Sequence, residues 1–139
     1  MIISPEYYPM PMFVKLPVKD IIKAANWYQD KLGFQKLYTF NDQSGSPIMM
    51  HIRRERYQDL MLIQDEHSSV GSNVVINLLV KDIAAIAEKI EEQAIVSPPL
   101  QKPWQAIEMT LKDLDEHKLT LTEPKPNGKS FQDVMTKVK

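Results

Sequence analysis

The apolar positions of the chain change rhythm twice in the same way. The run Met12-Phe13-Val14-Lys15-Leu16 predicts a short strand, and from Ile21 the apolar residues recur at Ala24, Ala25, Tyr28 and Leu32. That is the spacing of one helix face, and Gly33 supplies its stop. Phe34 to Phe40, Ile48 to Arg53 and Leu60 to Gln64 then read as strands, broken by the polar stretch Asn41 to Pro47 and by a charged turn near Arg56. The second half repeats the order. A strand over Asn73 to Leu78 leads to a helix that carries Ile83, Ile86, Ala87 and Ile90 and ends near Gln93 to Ala94. Strands follow at Ile95 to Ser97, Ala106 to Lys112 and Lys118 to Thr122, with Pro98-Pro99, Lys102-Pro103 and Asp113-Leu114-Asp115-Glu116 as breakers.

Comparing the chain with itself explains the shared rhythm. Leu16-Pro17-Val18-Lys19-Asp20-Ile21 matches Leu78-Leu79-Val80-Lys81-Asp82-Ile83 at five of six positions, at a shift of 62 residues. A period that long indicates a duplicated half-domain rather than a solenoid. Asp20 and Asp82 stand where a carboxylate can accept from the free N–H groups of a helix's first turn, so a structural role is expected of both. The expected fold is α+β, one domain of two tandem β-α-β-β-β modules over residues 10–66 and 72–124, with a C-terminal extension at 125–139. In that extension Phe131, Val134, Met135 and Val138 follow helical spacing behind a Ser130 cap, and Pro124 to Gly128 form a hinge.

Successive side chains of a strand alternate between its two faces, so parity sorts each strand into a helix-covered side and an open side. Val14, Leu16 and Val18 should lie under the helix. The open side then receives Phe13, Lys15 and Pro17, and Val75, Asn77 and Leu79 in the second copy. Later strands add Met49, His51 and Arg53; Asp59, Met61 and Ile63; Trp104, Ala106, Glu108 and Thr110; and Lys118, Thr120 and Thr122. Large apolar groups with a few ionisable ones are the make-up of a small-molecule pocket.

Composition removes several other function classes. The 139 residues are 43% hydrophobic and 25% charged, which suits an ordinary globular protein of about one domain. A net charge of −1 leaves no electrostatic footprint for nucleic acid or an acidic membrane surface. The one basic run, Arg53-Arg54-Glu55-Arg56, is expected to be a solvated hairpin end. With no cysteine there is no disulfide, thiol nucleophile or Cys-based metal site, and cytoplasmic residence is the default expectation. The first residues lack the pattern of a secretion signal, and no apolar run reaches the length of a membrane span.

Leu16-Pro17-Val18-Lys19-Asp20, Trp27-Tyr28 and Lys31-Leu32-Gly33-Phe34 resemble the first-module signature of the vicinal-oxygen-chelate superfamily, which includes glyoxalase I, bleomycin-resistance proteins and extradiol dioxygenases. Pro103-Trp104 and the stretch from Asp113 to Pro124 resemble its closing hairpin, although Leu114, Glu116 and His117 interrupt the usual Asp-Pro-Asp-Gly-Asn turn and Gln105 replaces a common glycine. The resemblance implies a cupped mixed sheet with the helices on its outer face, closed around a ligand and commonly completed by dimerisation. It also implies His or Glu metal ligands on the first and last strands of each module. The corresponding positions here are Phe13, Met61, Val75 and Thr120, none a normal ligand for a divalent cation. No metal and no other cofactor is therefore expected.

Within that resemblance the candidate ligand-binding residues are Trp104, Phe13, Lys15, His51, Arg53, Met61, Asn77, Glu108 and Thr120. Trp104 can stack on a planar ligand. Phe13 and Met61 suit an apolar floor. His51 is the one histidine at an inward position, since His67 sits in a polar loop and His117 at a turn. It is more readily a hydrogen-bonded wall residue than a general base, and no residue is assigned a catalytic role. Lys15 and Arg53 suit a carboxylate or phosphate, while Glu108 either neutralises one of them or marks a ligand of both signs. The expected function is metal-independent binding of a small molecule, such as sequestration of a toxic or antibiotic-like compound, by a homodimer. The alternative is a lyase, isomerase or dioxygenase of the same superfamily, metal-free or with a metal relocated to residues such as His51, Asp59 and Glu108.

Overall fold

Both strand-helix-strand-strand-strand runs are present in the computed structural model, which describes residues 8–10, 12–69 and 74–125. The chain divides into two units, Met1–Gly71 with Asp113–His117, and Ser72–Lys112 with Lys118–Lys139. The fold is α+β, with a four-stranded mixed sheet in each unit. Among the described residues no helix is long and apolar enough to cross a membrane.

The first unit contains β1 (Val14–Val18), α1 (Ile21–Leu32), β2 (Gln35–Asn41), β3 (Pro47–Arg53) and β4 (Asp59–Gln64). Its sheet runs β1-β4-β3-β2, with β1 parallel to β4 and the other pairs antiparallel. Leu16, Val18, Met50, Ile52, Leu60 and Leu62 are buried on the side that α1 covers with Ile21, Ala24, Ala25, Tyr28 and Leu32. Asp20 caps the helix by accepting from Lys23 N at 3.1 Å. At the other end Gly33 takes φ 77°, a left-handed conformation easy only for glycine, while Gly33 N and Phe34 N donate to Gln29 O and Tyr28 O, each at 3.2 Å.

The turn at Asp113–His117, which belongs to this unit, is organised by Asp113. Its Oδ1 accepts from Asp115 N at 2.8 Å and His117 N at 2.9 Å, and its Oδ2 accepts from the buried Tyr28 hydroxyl at 2.5 Å. Burial raises the Asp113 pKa and pushes that of the Tyr28 hydroxyl well above its ordinary value. Asp115 faces elsewhere and accepts from Lys19 N at 2.9 Å. Glu116, where the usual turn has glycine, adopts φ 65°.

The second unit contains β5 (Val75–Leu79), α2 (Ile83–Ala87), β6 (Ile95–Lys102), β7 (Ala106–Lys112) and β8 (Lys118–Pro124), in sheet order β5-β8-β7-β6. Leu78, Val80, Ile83, Ile90, Met109, Leu111, Leu119 and Leu121 form its buried core. Two expectations need correction here. The helix does not run to Gln93: it stops at Ala87, and Lys89 N and Ile90 N close tighter bonds to Ile86 O and Ala87 O before a short 3₁₀ turn at Glu92–Ala94. Glu88, Glu91 and Glu92 would have placed negative charge at the negative end of a longer helix dipole. Pro98-Pro99 also does not end the strand, because β6 lies at the sheet edge and its register shifts between Ser97 and Leu100. An edge strand at a bulge tolerates a missing N–H.

The remaining boundaries move by a residue or two, with β1 starting at Val14 rather than Met12. The expected C-terminal helix and most of the hinge before it lie outside the described residues.

Candidate functional site

On the first unit's sheet, the face opposite α1 is ordered by register. Lys15 pairs with Met61, Met61 with His51 and His51 with Tyr38, which makes one row across all four strands. The next row holds Pro17, Ile63, Met49 and Phe40, and on the other side Asp59 pairs with Arg53 and Arg53 with Gln35. Parity thus brings Lys15, His51, Arg53 and Met61 together, with the half-exposed Phe13 just before β1.

Asp59 is the hub of this face, a role that parity alone did not reveal. Its Oδ2 accepts from His51 Nε2 at 2.6 Å and from Arg53 Nε at 2.8 Å, and its Oδ1 accepts from the Tyr8 hydroxyl. His51 and Asp59 are each 8% exposed and Arg53 is 2% exposed. An ionised carboxylate can only accept, so this bond calls for the His51 ring proton on Nε2. Tyr8 lies against Arg53, whose guanidinium carbon is 4.2 Å from the ring centre, and its hydroxyl accepts from Tyr57 N at 2.8 Å. Burial first, and then the bond to Asp59, raise the pKa of the Tyr8 hydroxyl. Tyr57 holds a left-handed φ of 69° while it delivers that N–H.

The basic run is therefore not the solvated hairpin end expected of it. Arg53 is buried in the Asp59 network, and Arg54 donates to Leu32 O at 2.9 Å, closing the last turn of α1. Only Arg56 of the three arginines is exposed, lying over the rings of Tyr8 and Tyr57. A depression at this end of α1 is lined by Gln29, Leu32, Gly33, Phe34, Gln35, Arg54 and Glu55.

Tyr38 and Phe40 were not among the residues assigned to the open side, and a bulge puts them there. The register of β2 shifts between Lys36 and Tyr38, which moves the even-numbered residues beyond it onto the open side. Both rings are about half exposed and touch edge to face, with centres 4.7 Å apart.

On the second unit, Asn77, Trp104 and Glu108 belong to a network of hydroxyl, amide and carboxylate groups, and Thr120 bonds separately. Glu108 Oε2 accepts from Thr122 Oγ1 at 2.8 Å and Trp104 Nε1 at 3.3 Å, and Thr122 Oγ1 accepts from Asn77 Nδ2 at 2.9 Å. Thr120 Oγ1 and Thr110 Oγ1 share a bond of 2.8 Å. Thr122 was not among the candidates, yet it joins Asn77 to Glu108. Glu108 thus bonds to neutral donors rather than to a neutralising cation.

The family-type metal positions do not fit a cation. Phe13 and Val75 have no donor atom, Met61 is buried, and the Thr120 hydroxyl is engaged by Thr110. Among the described residues no three His, Asp or Glu side chains form a group that could hold a metal ion. His51 and Asp59, proposed as relocated ligands, bond to each other.

The family model of the Glyoxalase/Bleomycin resistance protein/Dioxygenase superfamily matches residues 12–121. Among solved structures the chain is similar to TioX from Micromonospora sp. ML1, with 20% identity over 82% of this chain and 95% of that one and a TM-score of 0.64. It is similar to a bleomycin resistance determinant encoded on the transposon Tn5, with 21% identity, coverages of 84% and 98%, and a TM-score of 0.63. The fosfomycin resistance protein FosX from Listeria monocytogenes gives 11% identity, coverages of 92% and 99%, and a TM-score of 0.66. At such identities the likeness is one of fold. No curated protein matches the chain.

Proposed function

The chain belongs to the Glyoxalase/Bleomycin resistance protein/Dioxygenase superfamily, and from that premise we propose that it is a metal-independent binding protein that sequesters a toxic or antibiotic-like small molecule. The observation that carries the reading is the donor set: Phe13, Met61, Val75 and Thr120 stand where a family metal centre would need imidazole or carboxylate. Open sheet faces with apolar groups around a few fixed polar ones supply what binding needs, burial from the first and orientation from the second. The resistance proteins among its structural neighbours favour sequestration. We place the protein in the cytoplasm as a homodimer, in keeping with its lack of cysteine and with the family's habit of completing the ligand site by pairing chains.

Three measurements test this. Protein purified without chelator and dialysed should hold well under one metal ion per chain; stoichiometric zinc, nickel, manganese or iron overturns metal independence. Thermal-shift titration with bleomycin, fosfomycin, aromatic antibiotics and small acids should raise the melting temperature with at least one compound, since ligand at a hundred times Kd adds about 2.7 kcal/mol. No shift with any of them overturns binding. Sedimentation at micromolar concentration should give a dimer. The buried His51–Asp59 pair favours a second reading, metal-free acid–base catalysis, and conversion of a bound compound into product would decide for it.

A further inference from the structure

The network around Asp59 leaves one of its ring atoms open to a ligand. His51 gives Nε2 to Asp59, and among the described residues Nδ1 has no partner in the protein. Among the described residues no buried side-chain nitrogen or oxygen lacks a partner, so Nδ1 lies on the part of the ring that reaches the surface. An imidazole that carries its one proton at Nε2 offers a lone pair at Nδ1. It can then accept a hydrogen bond from an O–H group.

The charges around it select the rest of the ligand. Lys15 is exposed in the same row and makes no hydrogen bond or ion pair among the described residues, while Asp59 is committed to Arg53. The face therefore carries surplus positive charge beside His51. Lys15 and His51 are two strands apart, about 10 Å between backbones. Met61 lies between them, and the half-exposed Phe13, Tyr38 and Phe40 supply apolar and aromatic surface. A flat ring with an acid group at one end and a hydroxyl at the other matches this order.

We infer that the open face of the first unit is a recognition site for a hydroxylated aromatic acid, with His51 Nδ1 accepting from the hydroxyl and Lys15 pairing with the carboxylate. The inference rests on the small-molecule reading above and names its ligand class. Asp59 is a positioning residue that fixes the imidazole, and Arg53 and Tyr8 fix Asp59. No bond need break. If the proton passes from hydroxyl to Nδ1, the resulting imidazolium lies between Asp59 and the new oxyanion, while Lys15 stays with the carboxylate.

The first test needs no ligand. Imidazole nitrogen spectra of ¹⁵N-labelled protein, with His51 assigned by its loss in H51Q, should show the proton on Nε2, and D59N should weaken that preference; a proton on Nδ1 instead overturns the inference. The second compares 4-hydroxyphenylacetate with phenylacetate by calorimetric titration. Wild type should prefer the hydroxylated acid by about ten-fold or more, as one well-placed hydrogen bond allows. H51Q, checked for folding by circular dichroism, should lose that preference, and K15M should weaken both acids alike and leave their ratio intact. Equal affinities in wild type, a preference that survives H51Q, or binding of neither acid overturns the inference. Binding of an antibiotic in the thermal-shift screen would still stand in each case, so the two failures are distinguishable.

Discussion

In the first unit Asp20 accepts from Lys23 N at 3.1 Å and Gln64 Oε1 from Ile21 N at 2.8 Å; in the second, Asp82 accepts from Ala85 N at 3.1 Å and Glu123 Oε1 from Ile83 N at 2.8 Å. The start of each helix is thus satisfied twice, by its own cap and by the last strand of its sheet. Beyond that point the copies part. The helix of twelve residues in the first unit faces one of five in the second. At the shift of 62 residues Gly33 corresponds to Ile95, a β-branched residue unsuited to the left-handed helix end, and Tyr28 to Ile90. The open faces differ as well, the first organised by an ion-pair hub and the second by hydroxyl and amide groups around Glu108. The copies agree where backbone N–H groups must find partners and differ in the side-chain networks of their open faces.

The largest expected effect would sharpen the contrast between the two open faces. D59A removes the acceptor of Arg53, His51 and Tyr8 inside a buried site and should cost about 3 kcal/mol in urea unfolding. E108A, in a part-buried site with neutral donors, should cost about 1 kcal/mol. Equal losses would mean that the two networks do the same structural job.

Y28F should cost about 1–2 kcal/mol, since it leaves Asp113 Oδ2 without its hydroxyl partner. It should also change the pH response. The Tyr28 hydroxyl ionises near its ordinary 10.0 in the unfolded chain but well above that in the fold, so its contribution is whole below pH 10 and is lost as pH rises beyond it. Stability measured from pH 9 to 11 should therefore fall more steeply for wild type than for Y28F. Matching slopes would remove Tyr28 from the difference between the units, because Ile90 has no proton to lose.

D20A and D82A should each cost about 1 kcal/mol by chemical unfolding, and similarly so if the two helix starts are equivalent. A cost confined to one of them would break the part of the comparison on which the copies agree. The smallest effect concerns the helix ends: E88K should stabilise by about 0.3–0.5 kcal/mol, and K31E should destabilise by about as much, read as opposite shifts of the thermal midpoint.

Much of this was legible in the sequence because it is local. The periods of 3.6 and 2, the caps at Asp20 and Asp82, the stop at Gly33 and the repeat can all be read from residues close along the chain or from their self-match. Parity carried as far as Lys15, Met61, His51 and Arg53 sharing one face, since a strand without a bulge keeps its alternation. β2 was not sorted by parity, and there one extra residue reverses the alternation and brings Tyr38 and Phe40 to the open side. The strand break expected at Pro98-Pro99 did not occur, because an edge position makes the missing N–H harmless.

The sequence by itself determined the duplicated module, its order of elements and the absence of ligand-type residues at the four family metal positions. Tertiary structure alone decided that Arg53 is buried, that Tyr8 reaches Asp59 across 51 residues, and that this carboxylate engages His51 through Nε2. The physical reason is that periodicity and capping act over a turn or a strand. The state of a buried charge depends on whichever groups the fold brings beside it, and those are distant in sequence.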